Sequence, residues 1–147
     1  MNRRFATTLI VVHASATPGN RNIGVHEIRQ WHERKWSDIG YHYVIRRNGT
    51  IERGRDIWRQ GAGVEGHNAE AIHICMVGGV DQKLRPEMNY NASQFASLKT
   101  LILGTMAEYP NIETVCGHRD LVTDGRACPC FDVAEWMREN GIRVSGA

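Results

Sequence analysis

Two short apolar runs rich in β-branched residues constrain the fold of this chain most strongly. Residues 9–12 (LIVV) and 71–77 (AIHICMV) each have the length of one buried strand, and turn-forming Pro and Gly residues follow both. Residues 92–108 instead place Phe95, Leu98 and Ile102 at helical spacing. Strands that alternate with helices predict an α/β fold, with a central mixed sheet flanked by helices.

The remaining segments predict a hairpin, a long loop and two further helices. Asn48-Gly49 is a turn signal between two short strands at residues 41–46 and 50–53. The Gly-rich stretch at residues 54–68 has no clear period and predicts a surface loop that carries binding groups. The other predictions are a helix of about ten residues from Val25 to near Trp36, a strand at 113–116 and a helix at 133–140.

Length and charge narrow the class of protein. A chain of 147 residues predicts one domain, 1–147, in which residues 1–8 form a short N-terminal arm. The net charge of +2 is spread along the chain, which argues against nucleic acid as the main partner. No apolar stretch approaches the roughly 18 residues of a membrane span, and no secretion signal precedes the first strand. We therefore expect a monomer without a membrane segment.

Three residues could together bind a metal ion. His13 and His118 each directly follow a predicted strand, and strand ends are where open α/β sheets present ligands. Cys128 follows His118 by ten residues. Two imidazoles and a thiolate suit catalytic zinc, because they leave one position for water. On spacing alone a core cysteine and two hydrogen-bonded histidines are favoured over a metal site, since no short metal motif is present.

Several blocks of sequence resemble the zinc amidase family of phage lysozymes, bacterial wall amidases and animal peptidoglycan recognition proteins. These blocks are residues 11–17 (VVHASAT), 40–45 (GYHYVI), 48–50 (NGT) and 127–132 (ACPCFD). Residues 24–32 (GVHEIRQWH) and 75–79 (CMVGG) resemble the phage lysozymes in particular. The resemblance implies a peptidoglycan hydrolase that uses Zn²⁺ to cleave the amide bond between N-acetylmuramic acid and L-alanine.

The resemblance also implies a role for individual residues. It places the metal ligands on His13, His118 and Cys128, and the catalytic groups on Tyr41 and Arg126. Tyr41 would act in place of the Glu general base that many bacterial relatives carry in the strand of Cys75. Arg126 replaces the usual Lys and keeps its positive charge. A His common in the loop before that strand is replaced by Gly63, with His67 nearby.

The sequence alone leaves the roles of the other cysteines and the identity of the carboxylate-binding arginine open. Cys128 is favoured over Cys130 as the ligand, because in an extended segment Cys130 would lie one repeat further along. The roles of Cys75 and Cys116 are not decided. Five arginines could bind the carboxylates of the peptide, and the sequence does not choose among them: Arg46, Arg53, Arg55, Arg59 and Arg126.

The alternatives belong to other functional classes. One is a wall-binding module without catalysis, which the retained Cys128 argues against. Another is a cysteine protease with Cys128 as nucleophile and His118 as base. Some phage relatives also bind the RNA polymerase of their phage, and the shorter arm leaves that partner undecided. The missing secretion signal fits an endolysin made in the host cytoplasm that reaches the wall after the inner membrane is breached.

Overall fold

A mixed five-stranded sheet forms the centre of the computed structural model, which describes residues 2–144. The strands are β1 (Leu9–Ala14), β2 (Thr17–Pro18), β3 (Tyr43–Ile45), β4 (Ile51–Arg53), β5 (Ala71–Met76), β6 (Gly79–Val80) and β7 (Thr114–Gly117). The α-helices are α1 (Val25–His32), α2 (Ala92–Glu108) and α3 (Val133–Glu139), and a 3₁₀ turn spans His118–Asp120. The predicted α/β fold is confirmed.

The strand order brings the two apolar runs side by side. The order is β4-β3-β5-β1-β7, and β1 runs parallel to both β5 and β7. β3 is parallel to β5 and antiparallel to β4, which makes the sheet mixed. β2 and β6 pair separately beyond the ends of β1 and β5. The carboxyl ends of β1, β5 and β7 therefore meet at one edge of the sheet.

The two faces of the sheet have different partners. Side chains alternate along a strand, so even-numbered residues of β1 and β5 share one face and odd-numbered residues the other. The even face, with Ile10 and Ile74, packs against α2 and α3 through Leu98 and Val133. The odd face packs partly against α1 through Ile28 and also carries the polar side chains described below. The apolar core thus lies mainly under α2 and α3.

Side-chain caps define where two helices begin. Asn91 accepts a hydrogen bond from the backbone N–H of Gln94, and Gln94 in turn accepts from the N–H of Asn91. Asp132 caps α3 by accepting from the N–H of Glu135. Both caps satisfy backbone donors that the first turn of a helix leaves free. Asn91 therefore fixes the start of α2, and Asp132 that of α3.

α1 ends at His32, about one turn earlier than the sequence predicts. The Trp36 N–H still donates to the His32 carbonyl at 2.8 Å, but residues 33–38 form turns. The His32 ring folds back, and its Nδ1 accepts from the Gly40 N–H at 2.8 Å. This contact brings Gly40, and with it the start of the hairpin, back to the end of the helix.

The predicted hairpin is confirmed, with a later start than expected. Gly49 adopts φ +87°, and its N–H donates to the Arg46 carbonyl to close the turn. β3 begins at Tyr43, so Tyr41 lies just before the strand. The Arg55 N–H still donates to the Tyr41 carbonyl at 2.8 Å, which ties Tyr41 to the edge of the hairpin.

Buried arginines anchor the long loop that follows the hairpin. The Arg55 side chain is buried and donates to the carbonyls of Ile39 and Gln60 at 2.7 and 2.6 Å. Arg4 of the N-terminal arm donates from Nε to the Ile57 carbonyl at 2.8 Å. These contacts hold the arm and the loop against the sheet. None of the helices within residues 2–144 is long and apolar enough to cross a membrane.

Candidate metal centre and active site

The edge of the sheet gathers the three predicted ligands. His13 lies near the end of β1, and the pairing of Val12 with Gly117 brings His118 to the same level. The ligand atoms of His13, His118 and Cys128 all lie within 4.8 Å of one another. The Cys128 thiol also accepts a hydrogen bond from the Ala14 N–H at 3.2 Å. Residues separated by over a hundred positions therefore form one cluster.

The geometry of this cluster suits a tetrahedral metal ion. The Nδ1 atoms of His13 and His118 are 3.2 Å apart. Two nitrogens bound to tetrahedral zinc at the usual bond length are separated by ~3.3 Å. Two imidazoles and one sulfur form the ligand set of catalytic zinc sites, with a fourth position left for water or substrate. The described residues thus include a His/His/Cys group that can hold a metal ion.

Burial sets the protonation of these ligands. It lowers the pKa of His13 well below its usual value and also lowers that of His118, so both rings are neutral at pH 7 and each offers a lone pair. Burial raises the pKa of the Cys128 thiol to about 11, although the Ala14 N–H and Arg126 act in the opposite direction. A cation must therefore displace the thiol proton when it binds.

Tyr41 lies directly beside the cluster, as predicted. Its ring packs against His13 with centroids 4.8 Å apart and against His32 at 5.1 Å. Burial raises the pKa of the Tyr41 phenol well above its usual value, and Cys75 and Cys128 raise it further. The phenol thus stays protonated at neutral pH and can donate a hydrogen bond. His32 packs behind this ring.

Arg126 is exposed at the mouth of the same site. Its guanidinium binds the Asp124 carboxylate with contacts of 3.0 and 2.6 Å, and its Nη1 lies 3.1 Å from His118 Nε2. Arg126 holds the pKa of Asp124 down to about 2, so the ion pair persists across the neutral range. The guanidinium, Asp124 and His118 line a cleft of about 600 Å³, together with Lys35, Trp36 and Gly63.

The five arginines that could bind substrate carboxylates lie in different parts of the structure. Arg126 lines the cleft beside the cluster. Arg55 is buried under the loop, and Arg46 pairs with Glu52 at 3.6 Å. Arg53 lines a different pocket, on the hairpin side next to Trp58. Arg59 stacks on the same Trp58, with its guanidinium 4.8 Å from the ring centroid. Arg126 is therefore the one best placed for a substrate in the cleft.

Two further histidines, His42 and His73, lie behind the cluster, and the sequence reasoning missed both. His73, in the middle of β5, is fully buried, and its Nδ1 lies 2.9 Å from His13 Nε2. His42 Nδ1 accepts from the His73 backbone N–H at 3.0 Å, and its Nε2 donates to the Arg59 carbonyl at 2.8 Å. A polar residue inside an apolar run needs a buried hydrogen-bond partner, and that signal could have identified His73.

The other cysteines do not enter the cluster. Burial raises the pKa of Cys75 well above its usual value, so this thiol cannot replace a general base. Burial likewise raises the pKa of Cys116 to about 12. The Cys130 thiol donates to the Gly79 carbonyl at 3.2 Å. The extended path assumed for residues 128–130 was wrong, because the Cys130 N–H closes a turn onto the Ala127 carbonyl and Cys130 has φ +73°.

His42 makes a testable contribution to the pH dependence of stability. Burial lowers its pKa to about 4 in the folded chain, whereas an exposed His titrates near ~6.5. Below about pH 6.5 the unfolded chain binds a proton at this ring and the folded chain does not. The contribution of His42 to the free energy of unfolding is therefore complete above about pH 6.5 and falls by about 3 kcal/mol by pH 4. We expect His42→Gln to reduce the pH slope of unfolding free energy by about 1.4 kcal/mol per unit in that window. Urea unfolding of the metal-free protein measures both slopes, and equal slopes would contradict the assignment.

Comparison with known families gives a match over most of the chain. The family described as N-acetylmuramoyl-L-alanine amidase matches residues 3–131. The endolysin of Klebsiella phage KP32 is 40% identical over 144 residues, which cover 97% of this chain and 93% of the phage protein. The endolysin of Escherichia phage T7 is also 40% identical, with the same coverage of 97% and 93%.

Solved structures show the same architecture. The amidase LysC from Clostridium intestinale is 31% identical with a TM-score of 0.78, and the match covers 95% of this chain and 88% of that one. The recognition protein PGRP-SA of Apis mellifera is 20% identical with a TM-score of 0.76, covering 100% of this chain and 91% of that one. At 20% identity, the similarity to PGRP-SA is evidence for the fold alone.

Proposed function

Since the chain belongs to the N-acetylmuramoyl-L-alanine amidase family, we propose that it cleaves the amide between N-acetylmuramic acid and L-alanine with zinc held by His13, His118 and Cys128. Its relatives of similar length are phage endolysins, and the chain is a peptidoglycan hydrolase of that kind. The observation that carries the proposal is the cluster of two imidazoles and one thiol, of which His118 also lines the cleft beside Arg126. We also propose that residues 1–147 form one amidase domain.

Each catalytic group has a distinct task in amide hydrolysis. When bound, zinc supplies Lewis-acid chemistry, which polarises a carbonyl and lowers the pKa of a water toward neutrality. Arg126 contributes a fixed positive charge at the rim of the cleft, where an oxyanion that develops on the substrate carbonyl is stabilised. Tyr41 donates a hydrogen bond from its neutral phenol to an oxygen beside His13.

The hydrogen bond between Arg126 and His118 depends on the state of the His118 ring. If Nδ1 of His118 held the metal, the proton of a neutral ring would lie on Nε2. Nε2 would then no longer accept from Arg126 Nη1, which lies 3.1 Å away. The guanidinium would keep its contacts with Asp124 and have an N–H group free for a substrate oxygen.

The products of peptidoglycan digestion test the reaction directly. We expect one zinc per chain, glycan strands with free lactyl groups and peptides that begin with L-alanine, as determined by mass analysis. A chelator should abolish this turnover, and added zinc should restore it. New reducing sugar ends would instead indicate a glycosidase, and activity that survives chelation would contradict the zinc assignment.

A cysteine protease and a binding module without catalysis are the competing hypotheses, and both fit the site less well. A cysteine protease needs a reactive thiolate beside its base. Burial raises the pKa of Cys128 to about 11, and His118 directs its ring nitrogens at His13 and Arg126. A binding module without catalysis would need neither the Cys128 thiol nor the positive charge of Arg126 at the cleft. Synthesis in the host cytoplasm before action on the wall, a monomeric state and contact with a phage RNA polymerase stay predictions.

Replacement of Tyr41 by Phe tests the hydroxyl alone. The ring that packs at 4.8 Å from His13 survives, so we expect the fold and the zinc content to be unchanged. The rate constant kcat should fall about 10²-fold, at the lower end of the effect of losing one preorganised hydrogen-bond donor. Tyr43→Phe is the matched control, since Tyr43 packs on the opposite face of the sheet. Undiminished kcat in Tyr41→Phe would remove the phenol from the mechanism.

A further inference from the structure

His73 is a buried imidazole that makes side-chain hydrogen bonds through both ring nitrogens. It is fully buried in the middle of β5, and β5 pairs with β1 so that His73 lies opposite Val11. Its Nδ1 lies 2.9 Å from Nε2 of His13, and its Nε2 lies 2.8 Å from Oδ1 of Asn68. A buried ring with partners on both nitrogens has a fixed orientation and a fixed tautomer.

Asn68 determines where the proton of His73 lies. The Oδ1 atom of Asn68 accepts from the backbone N–H groups of Gly63 and Val64 at 3.2 and 3.1 Å, which identifies it as the oxygen. The same oxygen can only accept from His73, so His73 Nε2 carries the proton. In a neutral ring Nδ1 is then bare and accepts from His13. His13 must therefore carry its proton on Nε2 and leave Nδ1 free, facing the cluster.

The opposite end of the hydrogen-bond chain leads to the same tautomer. Arg126 can only donate, so the His118 Nε2 that lies 3.1 Å from its guanidinium is an acceptor. His118 then carries its proton on Nδ1 and donates it across 3.2 Å to Nδ1 of His13. In the chain of hydrogen bonds from Arg126 through the three histidines to Asn68, each residue thus donates to the next one. In the metal-free chain, two ends with unambiguous roles both make Nδ1 of His13 an acceptor, and this atom faces the cluster.

Gly63 makes room for this arrangement. A Cβ atom on Gly63 would stand 2.8 Å from Nε2 of His13 and closer still to Nδ1 of His73. Any side chain at this position would therefore press on the contact between the two rings. His67, the nearby histidine of the loop, donates its backbone N–H to the Val64 carbonyl. The imidazole beside His13 thus comes from the strand and not from the loop.

We propose that His73, backed by Asn68, is a positioning residue that fixes the tautomer and orientation of the metal ligand His13. The role rests on the proposed function, because it requires His13 to bind the metal through Nδ1. A ligand histidine held by a second hydrogen bond binds its metal more tightly, and loss of such a partner costs about 10- to 100-fold in affinity. His73 itself lies behind the ligand and does not reach the metal cluster.

Two substitutions of His73 separate hydrogen bonding from packing. His73→Asn keeps an acceptor near the place of Nδ1, whereas His73→Leu fills a similar space without one. We expect His73→Leu to weaken zinc binding about 10- to 100-fold and His73→Asn to stay within a few-fold of the wild type. Competition with a chromophoric chelator measures the affinity on the full chain. The melting temperature of each metal-free variant shows whether it is folded.

A second pair of variants acts one step further from the metal. Asn68→Asp keeps an oxygen for Gly63, Val64 and His73, whereas Asn68→Ala removes it. We expect weakened zinc binding in Asn68→Ala and near-normal binding in Asn68→Asp. This pair decides the question if His73→Leu does not fold.

The outcomes distinguish this role from the proposed function. If His73→Leu and His73→Asn bind zinc equally, whether as the wild type or with the same loss, the positioning role is wrong. Should His73→Leu fail to fold, equal affinity in the two Asn68 variants would likewise overturn it. If the wild-type chain binds no zinc, or Cys128→Ser binds it as tightly, the metal assignment itself fails, and this role fails with it.

Discussion

Cys128→Ser should remove most of the zinc and nearly all of the activity on cell wall. Its thiol is one of the three ligand atoms that lie within 4.8 Å of one another, and a serine hydroxyl is a poor substitute for a thiolate. The loss of affinity should exceed the roughly 10- to 100-fold that removal of an outer partner costs. Metal analysis of the purified protein and a turbidity assay on bacterial walls measure the two effects.

The neighbouring Cys130 provides the matched control. Its thiol donates to the Gly79 carbonyl on the other side of the turn, so Cys130→Ser keeps a donor there. Zinc content and lysis should stay close to normal in this variant. The opposite pattern would overturn the choice of ligand, and equal loss in both variants would point to two cysteines that share the ion.

Arg126→Ala should lower kcat about 10²- to 10³-fold, the effect of losing one preorganised group that stabilises an oxyanion. The side chain is exposed in the cleft beside His118, so its removal should leave the core and the fold unchanged. Arg126→Lys keeps the charge and should retain partial activity. Steady-state kinetics on a soluble muramyl peptide give kcat separately from KM.

Arg85 is a suitable control for Arg126. It also pairs with an aspartate of its own turn, at 2.8 Å from Asp81, but it lies away from the cleft. Arg85→Ala should therefore leave kcat unchanged. If Arg126→Ala is as active as Arg85→Ala, then the charge has no role in catalysis. An inactive Arg126→Lys would mean that the planar guanidinium matters more than its charge.

Local patterns predicted most of the elements and the candidate ligands His13, His118 and Cys128, whereas Tyr41 and Arg126 came from the resemblance to the amidase family. The apolar runs and the Asn48-Gly49 turn are set by neighbouring residues, and the structure has them as predicted. His13 and His118 were found because each follows a strand directly. Such signals lie within a few residues of the feature that they specify.

Features that depend on strand register could not be read in the same way. The contact between His73 and His13 requires β5 to lie beside β1 with His73 level with Val11, and no local pattern states that alignment. The turn at Cys130 and the early end of α1 likewise involve partners outside the local segment, Gly79 for the Cys130 thiol and Gly40 for His32. The sequence had suggested an extended path and a longer helix, because it shows propensity but not partners.

The close fit of Gly63 against His73 couples two positions in evolution. An imidazole at position 73 excludes a side chain at 63, since a Cβ there would stand 2.6 Å from Cε1 of His73 and closer still to its Nδ1. A descendant that acquires a larger residue at 63 must therefore lose or shrink residue 73 in compensation. Each single change should be harmful on its own, while the pair together is tolerated. Homologous sequences should accordingly have a large side chain at position 63 or at position 73, but not at both. The two positions would then be an example of epistasis beside a catalytic centre.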